Sequence, residues 1–421
     1  MQKLYTLFLL ITVSFISAFG ASTTSTVNVN GVTREYMTVT PNVKRELFTS
    51  VIVFLHGVGG KITGCDDIIC YEEVAQQMAD LTGSIVLLPQ ALDEQNPQIK
   101  QLSSLLPQLS FLGVDALEIP VNSIWNAGVS VPLDNELKSI LQSVGFGDIA
   151  AAGKIVLNKD VDDVAFINHI IDASRTSALI PVLSNVFIVG VSMGGAMTYK
   201  YAYSGNSQAD AIAVISGFVG AEVDNNKPLG IPACIFHSKD DEVVLFNGGI
   251  FNEPIPEIVG GIASKSACWT VLPDVYDFPN IADDGITVQK ITYPCEPELW
   301  FYTLTGAKHA DFMKSDYQTG PNDMGYISQI RHFFFLGWVY NSVENHCANS
   351  SIAFFNPNPA KENISFTVSG NYELKTVTGK TVLKGNILAG EMISIGNIST
   401  GLYIVTLKSI EGNFVDKLIV K

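Results

Sequence analysis

Residues Phe187–Tyr199 read FIVGVSMGGAMTY. A run of β-branched and aromatic residues ends on a glycine, a lone serine follows one position later, and two further glycines open a segment of helical character. Gly190-Val191-Ser192-Met193-Gly194 is therefore a G-x-S-x-G pattern set between a buried strand and a helix, the context that motif requires. Small residues are needed at Gly190, Gly194 and Gly195 because the backbone turns sharply and the helix packs close to the strand. The turn lifts the Ser192 hydroxyl out of the end of the sheet, where the Met193 amide and the start of the helix face a developing negative charge. Ser192 reads as a nucleophile rather than as a serine caught in an ordinary turn.

Working outward, four runs have the near-continuous apolarity of strands buried on both faces: Val51–Leu55, Ser84–Leu88, Val186–Val191 and Ala233–His237. Leu299–Leu304 makes a fifth. Helical patterns lie between them, at Asp162–Asp172 and Gly195–Ser204. Strands alternating with helices predict an α/β fold, a mostly parallel sheet flanked by helices. Residues 102–158 interrupt the rhythm without a clean period and read as an insertion over one end of the sheet, a usual place for a lid or substrate wall.

A serine hydroxyl is a weak nucleophile near neutral pH, so Ser192 demands a base and a group to orient it, in the chain order serine, acid, histidine. His309, in the loop LTGAKHADF just past the fifth strand, suits a catalytic histidine. His332 lies in a helical pattern and His346 in a linker, while His237 ends a strand and suits a structural hydrogen bond. The acid belongs to the loop after Ala233–His237, where Asp240, Asp241 and Glu242 all stand. One can point at the imidazole; the others are solvated or shape the turn. The His56-Gly57-Val58 turn after Val51–Leu55 can supply the second amide of an oxyanion site, with His56 architectural.

The balance of 25 Lys+Arg against 41 Asp+Glu gives a formal charge of −16, which leaves no basic face for nucleic acid. Metal-ligand and phosphate-loop spacings are absent, and neither a cofactor nor a metal is expected. Residues 1–20 have the charged end, apolar core and small-residue cleavage region of a secretory signal peptide, and no later stretch is long enough to span a bilayer. Six cysteines fit an oxidising compartment: Cys268 with Cys295 and Cys65 with Cys70 are the favoured pairs, and Cys234 reads as a buried thiol. Residues 21–342 form the catalytic domain and 343–352 a linker. Residues 353–421 read as a small β sandwich of short alternating strands with Tyr372 and Tyr403 in its strand patterns.

FLHGVGG, IWNAG (Ile124–Gly128), DVDDVAFINHIID (Asp160–Asp172), VFIVGVSMGGAMTYKYA, FHSKDDEVV and YTLTGAKHADF resemble, in that order, the secreted polyhydroxybutyrate depolymerase and feruloyl esterase-like family of α/β-hydrolases over roughly residues 30–340. The resemblance implies an ester hydrolase with Ser192 as nucleophile and His309 as base, and its His-Gly-x-x-Asp pattern selects Asp241 over Asp240 as the acid. With the Val58 and Met193 amides as oxyanion donors, the implied activity is a secreted serine esterase working through an acyl-enzyme. Its ester substrate is a feruloyl or acetyl group on polysaccharide, or a polyester such as polyhydroxybutyrate. A peptidase or lipase on the same triad is an alternative, as is a non-catalytic surface binding protein on a hydrolase scaffold. Trp125 is a candidate substrate-stacking residue or an ordinary core residue. The chain departs from the family at Met193, where asparagine is frequent and the side chain is expected to alter the pocket floor, and at Ser238 and Lys308, where glycine is usual. The segment FFNPNPAKENISF, with STGLYIVTLKS and the terminal KLIVK, is similar to the sorting domain of the type IX secretion system. That implies export across the outer membrane by the secretion machinery, to the cell surface or beyond, with a carbohydrate-binding or adhesive sandwich as the rival reading.

Overall fold

Continuous apolar runs set the centre of the sheet. The computed structural model describes residues 22–42, 48, 50–64, 69–107, 119–176, 184–268, 272–280, 283–309, 311, 324–337, 355–356, 360–366, 369–376, 380–388, 391–409 and 412–421. The expected signal peptide and linker lie outside these residues, as do Cys65 and His346. The chain divides into two compact units, Met1–Asp323 and Met324–Lys421.

In the first unit, β1 (Ser22–Val29) and β2 (Val32–Val39) form a hairpin, followed by β3 (Ser50–Leu55), α1 (Tyr71–Thr82), β4 (Ile85–Pro89) and α2 (Pro97–Leu105). Then come β5 (Ser130–Pro132), α3 (Asn135–Ser143), α4 (Gly147–Ala152), β6 (Lys154–Val156) and α5 (Asp163–Arg175). The remainder is β7 (Asn185–Val191), α6 (Met193–Tyr203), β8 (Ala211–Ile215), β9 (Ala233–Ser238), α7 (Ile255–Lys265), β10 (Ala267–Cys268), β11 (Asp274–Asp277), β12 (Thr287–Tyr293), β13 (Cys295–Glu296) and β14 (Leu299–Thr305). Ten strands make one sheet in the order β1-β2-β4-β3-β7-β8-β9-β14-β12-β11. The six from β4 to β14 pair in parallel, and antiparallel strands finish both edges. This is the α/β-hydrolase class that the sequence predicts.

All five expected strands form, their ends moved by one residue at most. Every residue of β3 is buried, as a strand covered on both faces requires. Each such Val, Ile, Leu or Phe contributes about 1.5–3 kcal/mol by leaving water. Sequence reading missed β8: two of the five residues of AIAVI are alanines, too small for the run to stand out. Helix α5 starts where Asp162 accepts the Ala165 N–H at 2.9 Å, and it buries Phe166, Ile167, Ile170 and Ile171.

From β3 the chain steps outward to β4, and from β7 it steps the opposite way through β8 and β9. Right-handed crossovers then put α1 and α6 on opposite faces, leaving a crevice at the carboxyl ends of β3 and β7. Ligands bind at such a reversal in open parallel sheets. The described part of the insertion packs into the core, since Leu102, Leu106, Ile124, Leu141, Phe146 and Leu157 belong to the same buried cluster as the central strands. Cys268 faces Cys295 across β10 and β13, and the expected disulfide joins them. Cys70 is also disulfide-bonded, and Cys234 is a buried free thiol.

The second unit holds α8 (Tyr326–His332), assigned to the catalytic domain by the sequence reading, and β15 (Phe355–Asn356), β16 (Asn363–Phe366), β17 (Gly370–Thr376), β18 (Thr381–Ile387), β19 (Met392–Ser394), β20 (Gly401–Ser409) and β21 (Gly412–Val420). Two antiparallel sheets, β15-β16-β19 and β18-β17-β20-β21, share one core that includes Ile364, Phe366, Leu374, Val405 and Leu407. Tyr372 and Tyr403 are buried in that core rather than offered as a binding platform. Among the described residues no helix is long and apolar enough to cross a membrane.

Candidate active site

Glycine makes the nucleophile turn possible. A Cβ on Gly190 would collide with the Gly194 carbonyl and the Thr198 hydroxyl, and one on Gly194 with the carbonyl oxygens of Leu55 and His56. With both hydrogens in place, α6 lies against the ends of β3 and β7. Ser192 is forced to φ 54° and ψ −120°, a conformation that costs a non-glycine residue roughly 1–3 kcal/mol and tends to mark functional turns. Its N–H donates to the Ile215 carbonyl at 2.9 Å, fixing the turn to β8. The Ser192 side chain does not cap α6, so among the described residues the first amides of the helix, Met193 foremost, stay open to an acceptor.

The turn after β3 approaches from the other side of the crevice. A Cβ on Gly57 would lie 3.3 Å from Ser192 Cβ. The Gly57 N–H donates to the Tyr71 hydroxyl at 2.9 Å and the Gly59 N–H to the Ser123 carbonyl at 3.2 Å. Between them, the Val58 N–H has no hydrogen-bond partner among the described residues. His56 braces this turn as expected: Nδ1–H donates to the Gly57 carbonyl at 2.6 Å, and Nε2 accepts the Ala91 N–H at 3.1 Å.

Trp125 requires a correction. It is 0 % exposed, its indole N–H donates to the His56 carbonyl at 2.8 Å, and its ring lies 5.0 Å from the His56 imidazole. It supports the turn from beneath and presents no face to a substrate. Asn126 beside it donates to the Lys159 and Val161 carbonyls and accepts from Lys200, while its N–H reaches Asp163, which pairs with Arg34 at 2.7 Å. The IWNAG stretch is a buried polar tie between the insertion, α5 and the crevice. Met193 is also mostly inside, at 6 % exposure, and its side chain belongs to the main core.

The loops after β9 and β14, adjacent parallel strands, bring Asp241 and His309 together. His309 Nδ1 lies 2.8 Å from Asp241 Oδ2 and 3.0 Å from Oδ1. Oδ1 also accepts the Val243 and Val244 amides at 2.9 and 2.8 Å. Burial works to raise the Asp241 pKa, but its hydrogen-bonding partners, His309 first and the Val243 amide with it, outweigh it, and the carboxyl lies below its ordinary value. With Nδ1–H engaged, Nε2 is the nitrogen left to take a proton.

Several residues outside the expected triad stitch these loops together. Asp240 accepts the Gly306 N–H at 2.6 Å, so the neighbouring acid fastens the histidine loop. Ser238 donates to the Ala307 carbonyl, giving a task to one of the departures from the family pattern. Asp311 accepts the Lys308 N–H at 2.6 Å. Ser216, at the end of β8 with φ 47°, sets its hydroxyl 3.5 Å from the His309 carbonyl. Its position one residue after Ile215, which holds the Ser192 amide, links the two halves of the site. A serine next to glycine after a short apolar run was the available signal, and the small alanines of β8 hid it.

A glycine-flanked serine turn between strand and helix, at the reversal of a mostly parallel sheet, is the arrangement of the α/β-hydrolase fold. Residues 355–421 match the family described as the secretion system C-terminal sorting domain, so the chain carries that domain at its end. No curated protein matches the chain in sequence. Among solved structures it is similar to the acylaminoacyl peptidase of Pyrococcus horikoshii, at 13 % identity and TM-score 0.41, over 79 % of this chain and 43 % of that one. It thus spans less than half of that peptidase. Est1E from Butyrivibrio proteoclasticus gives 10 % identity and TM-score 0.38 over 76 % of this chain and 99 % of its own. A predicted CIB-like hydrolase from Thermoplasma acidophilum gives 14 % and 0.37 over 75 % and 98 %.

Proposed function

We propose that the chain is an exported serine carboxylic-ester hydrolase whose triad is Ser192, His309 and Asp241. The observation that carries this reading is the doubly hydrogen-bonded Asp241–His309 pair, which follows the carboxyl ends of parallel strands as the strained Ser192 turn does. His309 Nε2 takes the Ser192 proton as Oγ attacks the ester carbonyl, and Asp241 stabilises the imidazolium that forms. The Val58 and Met193 amides donate to the oxyanion. Collapse expels the alcohol, which receives the proton from His309. Water, activated by the same imidazole, then hydrolyses the acyl-serine to release the acid and restore the hydroxyl.

The substrates are feruloyl or acetyl esters of polysaccharide, or a polyester such as polyhydroxybutyrate. The sorting domain supports delivery outside the cell through type IX secretion, after a signal-peptide step, where such polymers are met. Turnover of p-nitrophenyl esters from acetate to octanoate, with methyl ferulate alongside, tests the activity against Ser192→Ala. The variant is expected to lose about 10⁶-fold in kcat, the scale seen when a serine hydrolase loses its nucleophile. Equal inactivity of wild type and variant on every ester would overturn the reading.

A further inference from the structure

His237 is fully buried at the end of β9, four residues before the carboxylate that meets His309. Its Nε2–H donates to the Val244 carbonyl at 2.8 Å. Val244 is also the residue whose amide holds Asp241 Oδ1. One imidazole therefore closes the turn 241–244 from the strand side while the carboxylate closes it from within. His237 Nε2 also stands 3.5 Å from Asp241 Oδ2, the oxygen nearest His309. At that distance it biases the carboxylate electrostatically without competing for the hydrogen bond.

The other ring nitrogen decides the charge state. His237 Nδ1 is buried with no hydrogen-bond partner among the described residues, and so is the Thr303 hydroxyl, which belongs to the residue paired with His237 on β14. A proton on Nδ1 would be a buried charge with nothing arranged to receive it. Burial lowers the His237 pKa, and His309 lowers it further; the Val244 carbonyl and Asp241 act the other way without reversing the direction. A neutral ring leaves Asp241 to a single cation, the His309 imidazolium formed during turnover.

We propose that His237 is a positioning residue for the acid: a neutral Nε2–H donor that latches the Asp241 turn through the Val244 carbonyl and so aims the carboxylate at His309. This rests on the triad reading above.

The test compares His237→Leu, which removes the donor, with His237→Gln, whose amide can restore it. It follows p-nitrophenyl butyrate turnover from pH 5 to 9, and thermal melting checks the fold. His237→Leu is expected to lose kcat on the order of a hundredfold, the scale of a catalytic group displaced by about an ångström. KM should stay within about twofold, since an aiming defect spares uniform substrate binding. The acid limb of its pH–kcat profile should move to lower pH, because a misaimed carboxylate stabilises the imidazolium less. His237→Gln should recover most of the rate and return the limb. Wild-type kcat and profile in both variants, or a change in KM alone, would overturn the proposal. Nitrogen NMR of the wild-type protein decides independently of folding defects and of any esterase activity. A neutral Nε2–H tautomer through pH 5–8 supports the latch, and an imidazolium or an Nδ1–H tautomer in that range rules it out.

Discussion

In the proposed site, the half around the Ser192 turn and the half around Asp241 and His309 are built from different materials. Around Ser192 the shape is made by backbone: glycines that allow contact between β3, β7 and α6, a positive φ at the serine, and amides left open at a helix start and in a turn. Around Asp241 and His309 it is made by side chains. His309, Asp240, Ser238, Asp311 and His237 each make hydrogen bonds that close or join these loops. Backbone architecture fails through sterics and takes the fold with it. Side-chain stitching fails one bond at a time and takes the rate first.

The sharpest test of that contrast is Asp241→Asn. The carboxamide keeps size and can still accept an amide, but it offers the imidazole one acceptor and no charge, which favours the wrong tautomer. kcat should fall about 10⁴-fold, the loss known for such a change in a serine triad. Chemical denaturation should show a much smaller change. A parallel collapse of stability would erase the distinction between the two halves.

Gly194→Ala should behave in the opposite way. The new methyl meets two carbonyl oxygens of the β3 end, which cannot move without shifting the central strand. Overpacking of this kind costs about 1–3 kcal/mol, visible as a lower urea midpoint with unchanged slope. Activity should be lost with it, because Val58 and Ser192 move together. An active, fully stable Gly194→Ala protein would mean the turn has slack that the geometry does not allow.

The same contrast explains what the sequence disclosed. Glycines forced by sterics sit at fixed offsets from the serine, so the nucleophile turn and the strands around it are legible as spacing. His309 and the choice of Asp241 were legible through their place after strands and through family resemblance. The stitching was not: Asp240 and Asp241 are neighbours of the same type, and only the register of β9 against β14 decides which faces the imidazole and which reaches Gly306. Trp125 was ambiguous for a related reason, since an indole serves a pocket wall or a core equally well. Its N–H bond to the His56 carbonyl comes from a contact 69 residues away that no local pattern encodes.

A milder effect is expected from Asp240→Ala. It leaves the Gly306 amide without its acceptor and loosens the loop that carries His309. One lost charge-assisted hydrogen bond is worth about 1.5–3 kcal/mol at most, and partial exposure to water offsets part of it. A fall in kcat of about tenfold with unchanged KM is the expected outcome. Asp240→Asn, which keeps an acceptor, should recover most of it; if both variants match wild type, the histidine loop is held by its other contacts alone.

The smallest expected effect is in how stability depends on pH, and its sign follows from Asp241. The folded pKa of that carboxyl is lowered: burial opposes ionisation, but its partners prevail, His309 foremost. The folded state therefore releases the proton more readily than the unfolded chain does. The stability this contributes is present above the unfolded carboxylate value of about 3.9, and it is lost as pH falls through the lower folded value. Asp241→Asn removes that dependence. Urea unfolding of both proteins between pH 3 and pH 6 should give curves whose difference narrows toward acid, wild type losing its margin as the carboxylate is protonated. A difference that widens toward acid would mean that burial dominates at Asp241. The carboxyl would then be held against its preference, and the side-chain half of the site would store strain as the Ser192 turn does.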